Sequence, residues 1–261
     1  MKIHHLRNAT LIIETRDKHI LVDPMLSSKG KAAPPFSFIR FKPRRNPIID
    51  LPVNALAMVE KTSHCLVTHL HPDHLDKAGE DLLLSKEIPV ISSIKDQDKL
   101  SQRGLNVTQS VDYWKTSAFL GGTIQGIPAV HGYGAVAKRM GNVMGYFIKL
   151  PNEPSIYLSS DTIYTEDVHK VLTELNPDIA VVACGSAQLD FYKPILMHMD
   201  DILRFITTAP SIVIANHLEA VNHCPTKRHQ LKNEVLKLGL TKKVWIPDDG
   251  ESKEFNSIQS S

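Results

Sequence analysis

The sequence offers little for crossing a membrane, gripping a nucleic acid or stapling itself with disulfides. No apolar run is long enough to span a bilayer, and the opening stretch MKIHHLRNATLIIETRDKH lacks a signal-peptide core. Three cysteines, Cys65, Cys184 and Cys224, are too few and too scattered for a disulfide framework, and they read as small core or near-site thiols in a reducing compartment. The 30 Lys and Arg against 28 Asp and Glu leave a formal charge of +2, too small to imply nucleic-acid binding by itself. Low-complexity segments and short repeats are also absent. What remains is an ordinary globular composition, 42% hydrophobic and 22% charged, for which a single cytoplasmic domain over 1–261 is the expectation.

Strand-like runs are frequent: TLIIE (10–14), HILVD (19–23), CLVTH (65–69), IPVIS (88–92), GYFIKL (145–150), SIYLSSD (155–161), DIAVVA (178–183) and SIVIAN (211–216). Helical patterns lie between the later ones. Thr165 can cap a helix bearing Val168, Val171, Leu172 and Leu175 on one face. MDDILRFITTAP has acids in its first turn and Pro210 as a stop, and Thr226 opens a third pattern with Leu231, Val235 and Leu238 on its stripe and Gly239 at its exit. Strands alternating with helices imply sheets covered by helices in one α/β domain. The Pro-rich, basic segment at about 24–52 is too long for an ordinary connection and reads as a lid or binding loop. A flexible tail is expected over about 252–261.

The densest chemistry is in VTHLHPDHLD, Val67 to Asp76, which holds three of the chain's 13 histidines and two aspartates. A polar turn entering a helix, with Pro72 at its first position, explains the proline but not the ligand types at H-x-H-x-D-H spacing. A divalent metal takes neutral imidazole nitrogens and carboxylate oxygens at about 2.0–2.2 Å, and strand ends hold such groups rigidly. In open α/β sheets functional side chains collect beyond the carboxyl ends of strands. That filter selects His69 and His71 after CLVT, His131 after TIQGIPAV, Asp161 after SIYLSS, His217 after SIVIAN, and Asp23 after HILV. His217 is preferred to its neighbour His223, which lies in a loop.

These motifs resemble, in order, those of the metallo-β-lactamase-fold hydrolases: THLHPDH, then His131 in AVHGYG, Asp161 in SSDT and His217 in ANHLE, with Asp23 in LVDP. The resemblance runs from LRNATLIIE to VWIPDDGE and is nearest the branch containing L-ascorbate-6-phosphate lactonase, although RNAT places Asn8 where that branch often has a histidine. It implies an αββα sandwich of two mixed β-sheets flanked by helices, with the site at one edge. It further implies two divalent cations, zinc before manganese or iron, one held by His69, His71 and His131 and the other by Asp73, His74 and His217. Asp161 would bridge them, Asp23 would support them, and Asp73 would also orient the nucleophile or accept its proton. The implied activity is hydrolysis by a metal-activated hydroxide of a small, anionic ester, lactone or phosphoester. A phosphodiesterase or nuclease is the alternative, and a non-enzymatic metal-binding protein ranks below both.

Further residues are candidates to face the substrate: Tyr133 after HGYG, His198 in LMHMDD, His223 in VNHCP, and Arg44 and Arg45 in RFKPRR. The arginine run reads by default as a solvated loop, with recognition of an anion as its functional reading. A small-molecule substrate is the expected partner. Membrane and nucleic acid are disfavoured, and a homo-oligomer stays open.

Overall fold

A computed structural model describes residues 1–256. Six strands of the first sheet come from the first half of the chain: β1 (Lys2–Arg7), β2 (Thr10–Glu14), β3 (His19–Val22), β4 (His64–Leu66), β5 (Val90–Ser93) and β6 (Val107–Val111). The second sheet holds β7 (Thr116–Phe119), β8 (Gly122–Pro128), β9 (Met144–Lys149), β10 (Ile156–Leu158), β11 (Ile179–Ala183), β12 (Ile212–Asn216) and β13 (Val244–Trp245). The last strand, β14 (Ser252–Glu254), returns to the first sheet beside β1. The strand orders are β14-β1-β2-β3-β4-β5-β6 and β13-β12-β11-β10-β9-β8-β7.

Both sheets are mixed. Pairing is antiparallel from β14 to β3 and from β7 to β10, then parallel from β3 to β6 and from β10 to β13. Parallel neighbours need crossovers. Helices α1 (Ala55–Val59), α2 (Lys77–Ser85) and α3 (Gln97–Gln102) supply them in the first sheet, and α4 (Glu166–Lys170), α5 (Met199–Thr208) and α6 (Arg228–Lys237) in the second.

Both faces of most strands are covered, so their sequences are nearly continuous apolar runs. In β2, Leu11 and Ile13 join the cluster between the sheets while Ile12 packs with Ala55 and Val59 of α1. In β11, Ile179 and Val181 point inward and Ala180 and Val182 pack with Ile202, Phe205 and Ile206 of α5. This is the αββα sandwich expected from the motifs.

Some boundaries differ from the sequence reading. β1 lies outside the apolar strand-like runs because His4 and His5 interrupt its pattern; they are buried against Glu14, Ser252 and Asp249. Ser252–Glu254 is a paired strand and Phe255 is buried, so the start of the expected tail is anchored; its end, from 257, lies outside the described residues. Thr165 caps α4 as expected, accepting from Val168 N, and the helix continues through a π-helical turn, Val171–Leu175. Thr226 does not cap α6, because its hydroxyl donates to Ser186 Oγ; Leu238 is exposed, outside the buried stripe of Leu231 and Val235.

Tyr146 ties the two sheets together near the site. Fully buried on β9, it donates its hydroxyl to Val67 O at 3.0 Å, one residue past β4. Tyr146→Phe should destabilise the protein by about 1–2 kcal/mol, since it leaves a buried carbonyl without that donor. A denaturant midpoint equal to that of the parent protein would show that the bond contributes nothing net.

Candidate metal centre

The ligands gather at the carboxyl-terminal edge of the strands. The backbone turns sharply there, and Asp23, Ser160 and His217, each just beyond a strand, take left-handed φ of 47°, 58° and 57°. Non-glycine residues in that region are uncommon and cost of order 1–3 kcal/mol each, which the surrounding packing must offset. Asn8, at φ 56°, is the fourth. Its carbonyl accepts from His217 N at 2.8 Å and its side-chain amide donates to Asp73 O at 3.0 Å. Asn8 therefore braces ligand-bearing segments from both sheets.

Two trios of ligand atoms converge, His69/His71/His131 and Asp73/His74/His217, and a third, His69/His74/Asp161, joins them. All but half-buried His71 are buried. His69 Nε2 is 3.1 Å from His71 Nδ1, and His217 Nε2 is 3.3 Å from Asp73 Oδ2. Asp161 reaches both trios: Oδ1 lies 3.2 Å from His74 Nε2, while Oδ2 lies 3.4 Å from His131 Nε2 and 3.5 Å from His217 Nε2. Tetrahedral ligands at 2.0–2.2 Å from a cation sit roughly 3.3–3.6 Å apart, so this spacing suits atoms that share ions. His74 Nε2, Asp161 Oδ1 and His217 Nε2 are buried without hydrogen-bond partners, and divalent cations would satisfy all three. The residues fit the metals.

The far side of each ring is also held. His74 Nδ1 donates to Asp23 Oδ2 at 2.8 Å, and the same oxygen accepts from Thr68 Oγ1 at 2.7 Å. Thr68 Oγ1 in turn lies 3.0 Å from His69 Nδ1. His131 Nδ1 donates to Ile195 O at 2.7 Å, and His217 Nδ1 meets Cys224 Sγ at 3.5 Å. Such contacts select the tautomer that leaves Nε2 free for a metal.

Charge within the cluster is balanced by these same neighbours. Burial opposes a charged His74 ring, but Asp161 and Asp23 outweigh it and raise the group to about 10. His217 is likewise raised against burial, chiefly by Asp161. On the other side burial keeps His69 and His131 neutral, His131 at about 4. Metal ligation requires unprotonated rings, so cations compete with protons at His74 and His217.

A cavity of about 170 Å³ opens over the cluster, lined by His71, Asp73, His131 and His223 and by Phe36, Pro72, Met140, Leu189 and Ile195. A wider cleft of about 600 Å³ between Met199, Thr226 and α6 contains none of the ligands.

Of the other sequence candidates, only Asp23 and His223 are brought to the site. Tyr133 turns its hydroxyl to Asp201 on α5 and does not line the cavity. His198 stands exposed at the start of α5. Arg44 and Arg45 are exposed on the long loop, with Arg45 Nε donating to Gly30 O, and neither lines the cavity. Thr68, Asn8 as a brace and Phe36 escaped the sequence reading. Thr68 alone had a signal, a hydroxyl adjoining the first ligand.

Residues 18–217 match the family model described as "Beta-lactamase superfamily domain", and the chain belongs to that superfamily. It is 30% identical to UPF0173 protein YddR of Bacillus subtilis over 98% of this chain and 100% of the relative. A UPF0173 metal-dependent hydrolase of Flavobacterium johnsoniae is 24% identical, over 85% of this chain and 91% of the relative. Among solved structures, an isothiocyanate hydrolase from Delia radicum gut bacteria superposes with a TM-score of 0.87 at 29% identity, covering 98% of this chain and 100% of that one. The chain is thus a member of the UPF0173 metal-dependent hydrolases.

Asp23 touches no substrate cavity, yet it orients His74 and Thr68. Asp23→Ala should weaken metal binding by about 10–100-fold, the usual cost of losing such a partner. Competition with a chelator measures this, and parent-like retention would remove Asp23 from the support of the site.

Proposed function

We propose that the chain is a dinuclear, zinc-dependent hydrolase of a small, neutral electrophile with an apolar substituent, such as an isothiocyanate. The observation that carries this reading is the cavity wall: Phe36, Pro72, Met140, Leu189 and Ile195 enclose the space above the ligands, and among the described residues no lysine or arginine lines it. Such a wall favours an apolar group and leaves the metals as the sole counter-charge for an anion. The similarity to an isothiocyanate hydrolase supports the same class. Lactones of sugar phosphates, phosphoesters and polynucleotides carry further anionic groups, for which this wall offers no cationic side chain. Zinc suits the His-rich donor set, though manganese or iron accepts the same ligands.

Divalent cations held by the His69/His71/His131 and Asp73/His74/His217 trios would lower the pKa of bound water toward about 7 and polarise the electrophile. The chain's own residues position the reactants. Asp73, beside both His217 and the cavity, is placed to accept a proton from the attacking water. Phe36, Leu189 and Ile195 hold the apolar substituent and exclude bulk water. Adding water across the N=C bond of R–N=C=S forms a thiocarbamic acid, which breaks down to R–NH₂ and COS.

Metal-loaded protein should contain two equivalents, and Asp161→Ala should retain less than one, because one carboxylate faces both trios. Elemental analysis tests the count; a single equivalent in loaded parent protein would overturn the dinuclear reading. Amine release from a short alkyl isothiocyanate should exceed hydrolysis of phosphodiesters and anionic lactones in kcat/KM, and the opposite ranking would overturn the substrate class.

The exposed arginines make a separate prediction. Replacing Arg44 and Arg45 together by alanine should leave KM for a neutral substrate within about twofold, at low and high salt alike, as screened surface charges contribute little. A large salt-sensitive rise in KM would bring the basic loop back into substrate recognition.

A further inference from the structure

His223 is a histidine of the cavity that belongs to neither ligand trio. It is 5% exposed, and its Nδ1 is buried without a hydrogen-bond partner. Among the described residues no protein group bonds to either ring nitrogen. The ring packs edge-on against Phe36, with centroids 4.8 Å apart at 74°.

Its backbone is held too. Gln188 N donates to His223 O at 3.0 Å. The preceding residue, Asn222, is locked to the long loop: Oδ1 accepts from Phe36 N at 2.8 Å, Nδ2 donates to Ser37 O at 2.7 Å, and its backbone N donates to Asn46 Oδ1 at 2.8 Å. These bonds fix the imidazole and Phe36 as one unit of wall. Burial lowers the imidazole to about 4, so near neutrality it is an uncharged ring offering one N–H and one lone pair.

Resting on the hydrolase reading above, we propose that His223 is a substrate-binding residue. Its imidazole hydrogen-bonds the heteroatom beside the electrophilic carbon, while Phe36 packs on the apolar substituent. A buried polar group left unpaired is costly, and a site with such a group favours ligands that pair with it. The substrate class is thereby narrowed to electrophiles with a hydrogen-bonding heteroatom next to the attacked carbon and an apolar substituent.

The test compares the parent protein with His223→Leu and His223→Gln, all loaded with zinc. Both variants should keep the parent metal content and melting temperature. His223→Leu should lose about 10–100-fold in kcat/KM for a short alkyl isothiocyanate, the range expected when a substrate hydrogen bond leaves its partner unpaired. His223→Gln should recover part of the loss. As a readout apart from catalysis, inorganic thiocyanate binding by calorimetry should weaken at least about fivefold in His223→Leu, a smaller share of the same hydrogen bond.

If the parent protein hydrolyses no isothiocyanate but binds thiocyanate in a His223-dependent way, the substrate reading fails and the His223 site stands. Parent-like activity and thiocyanate affinity in His223→Leu would overturn the site. Loss of a metal equivalent in both variants would overturn it as well, by making His223 a ligand. Absence of thiocyanate binding to the parent protein, together with equal rates in parent and variants, would also count against it.

Discussion

Burying two carboxylates among five imidazoles is the constraint on which the rest of the structure depends. Asp73 and Asp161 are almost fully removed from water, where an isolated carboxylate would be too costly to stay ionised. Their charge is tolerable only if positive partners are held within a few ångströms, as protonated His74 and His217 in the polypeptide alone, or as divalent cations. Either partner requires placement to fractions of an ångström, which a mobile loop cannot supply. Strand ends can, and the left-handed turns at Asn8, Asp23, Ser160 and His217 convert strand rigidity into ligand position.

The same demand explains the chain of contacts behind the ligands. Asp23 joins His74 to Thr68, Thr68 adjoins His69, and Tyr146 crosses from the second sheet to Val67. Asp76 caps α2 through Gly79 N and also accepts from Leu26 N and Ser27 N, so the ligand motif and the start of the long loop share one carboxylate. The close approach leaves no room for a side chain at Gly79, whose Cβ would lie 2.0 Å from Pro24 O. Buried Arg7 then holds the loop from below, donating to Met25 O, Ser27 O and Ile49 O.

The long loop is consequently part of the wall and not a free basic arm. Asn46 and Asn222 pin its middle, and Asp190 accepts from Ser37 Oγ and from the backbone of Phe38, Ile39 and Arg40. What it delivers to the cavity is Phe36; its three arginines, Arg40, Arg44 and Arg45, face solvent. A charge count along the segment points to an anion, whereas the packed conformation points to an apolar group.

The fold class and the ligands were legible in the sequence for a local reason. Two-sided apolar runs such as DIAVVA and SIVIAN mark covered strands, and a histidine or aspartate just past each run is placed by the strand it follows. Edge strands with polar alternation, such as VTQSV and SKE, were less legible because only their pairing partners make them strands. The sequence by itself determined which histidines and aspartates converge as candidate metal ligands, since short spacing and strand ends constrain those side chains directly. Tertiary structure alone decided which of Tyr133, His198, His223, Arg44 and Arg45 meets the cavity. All five sit on loops or at a helix start, and their directions depend on contacts made with residues far away in the chain, such as Asn46 with Asn222 and Tyr133 with Asp201.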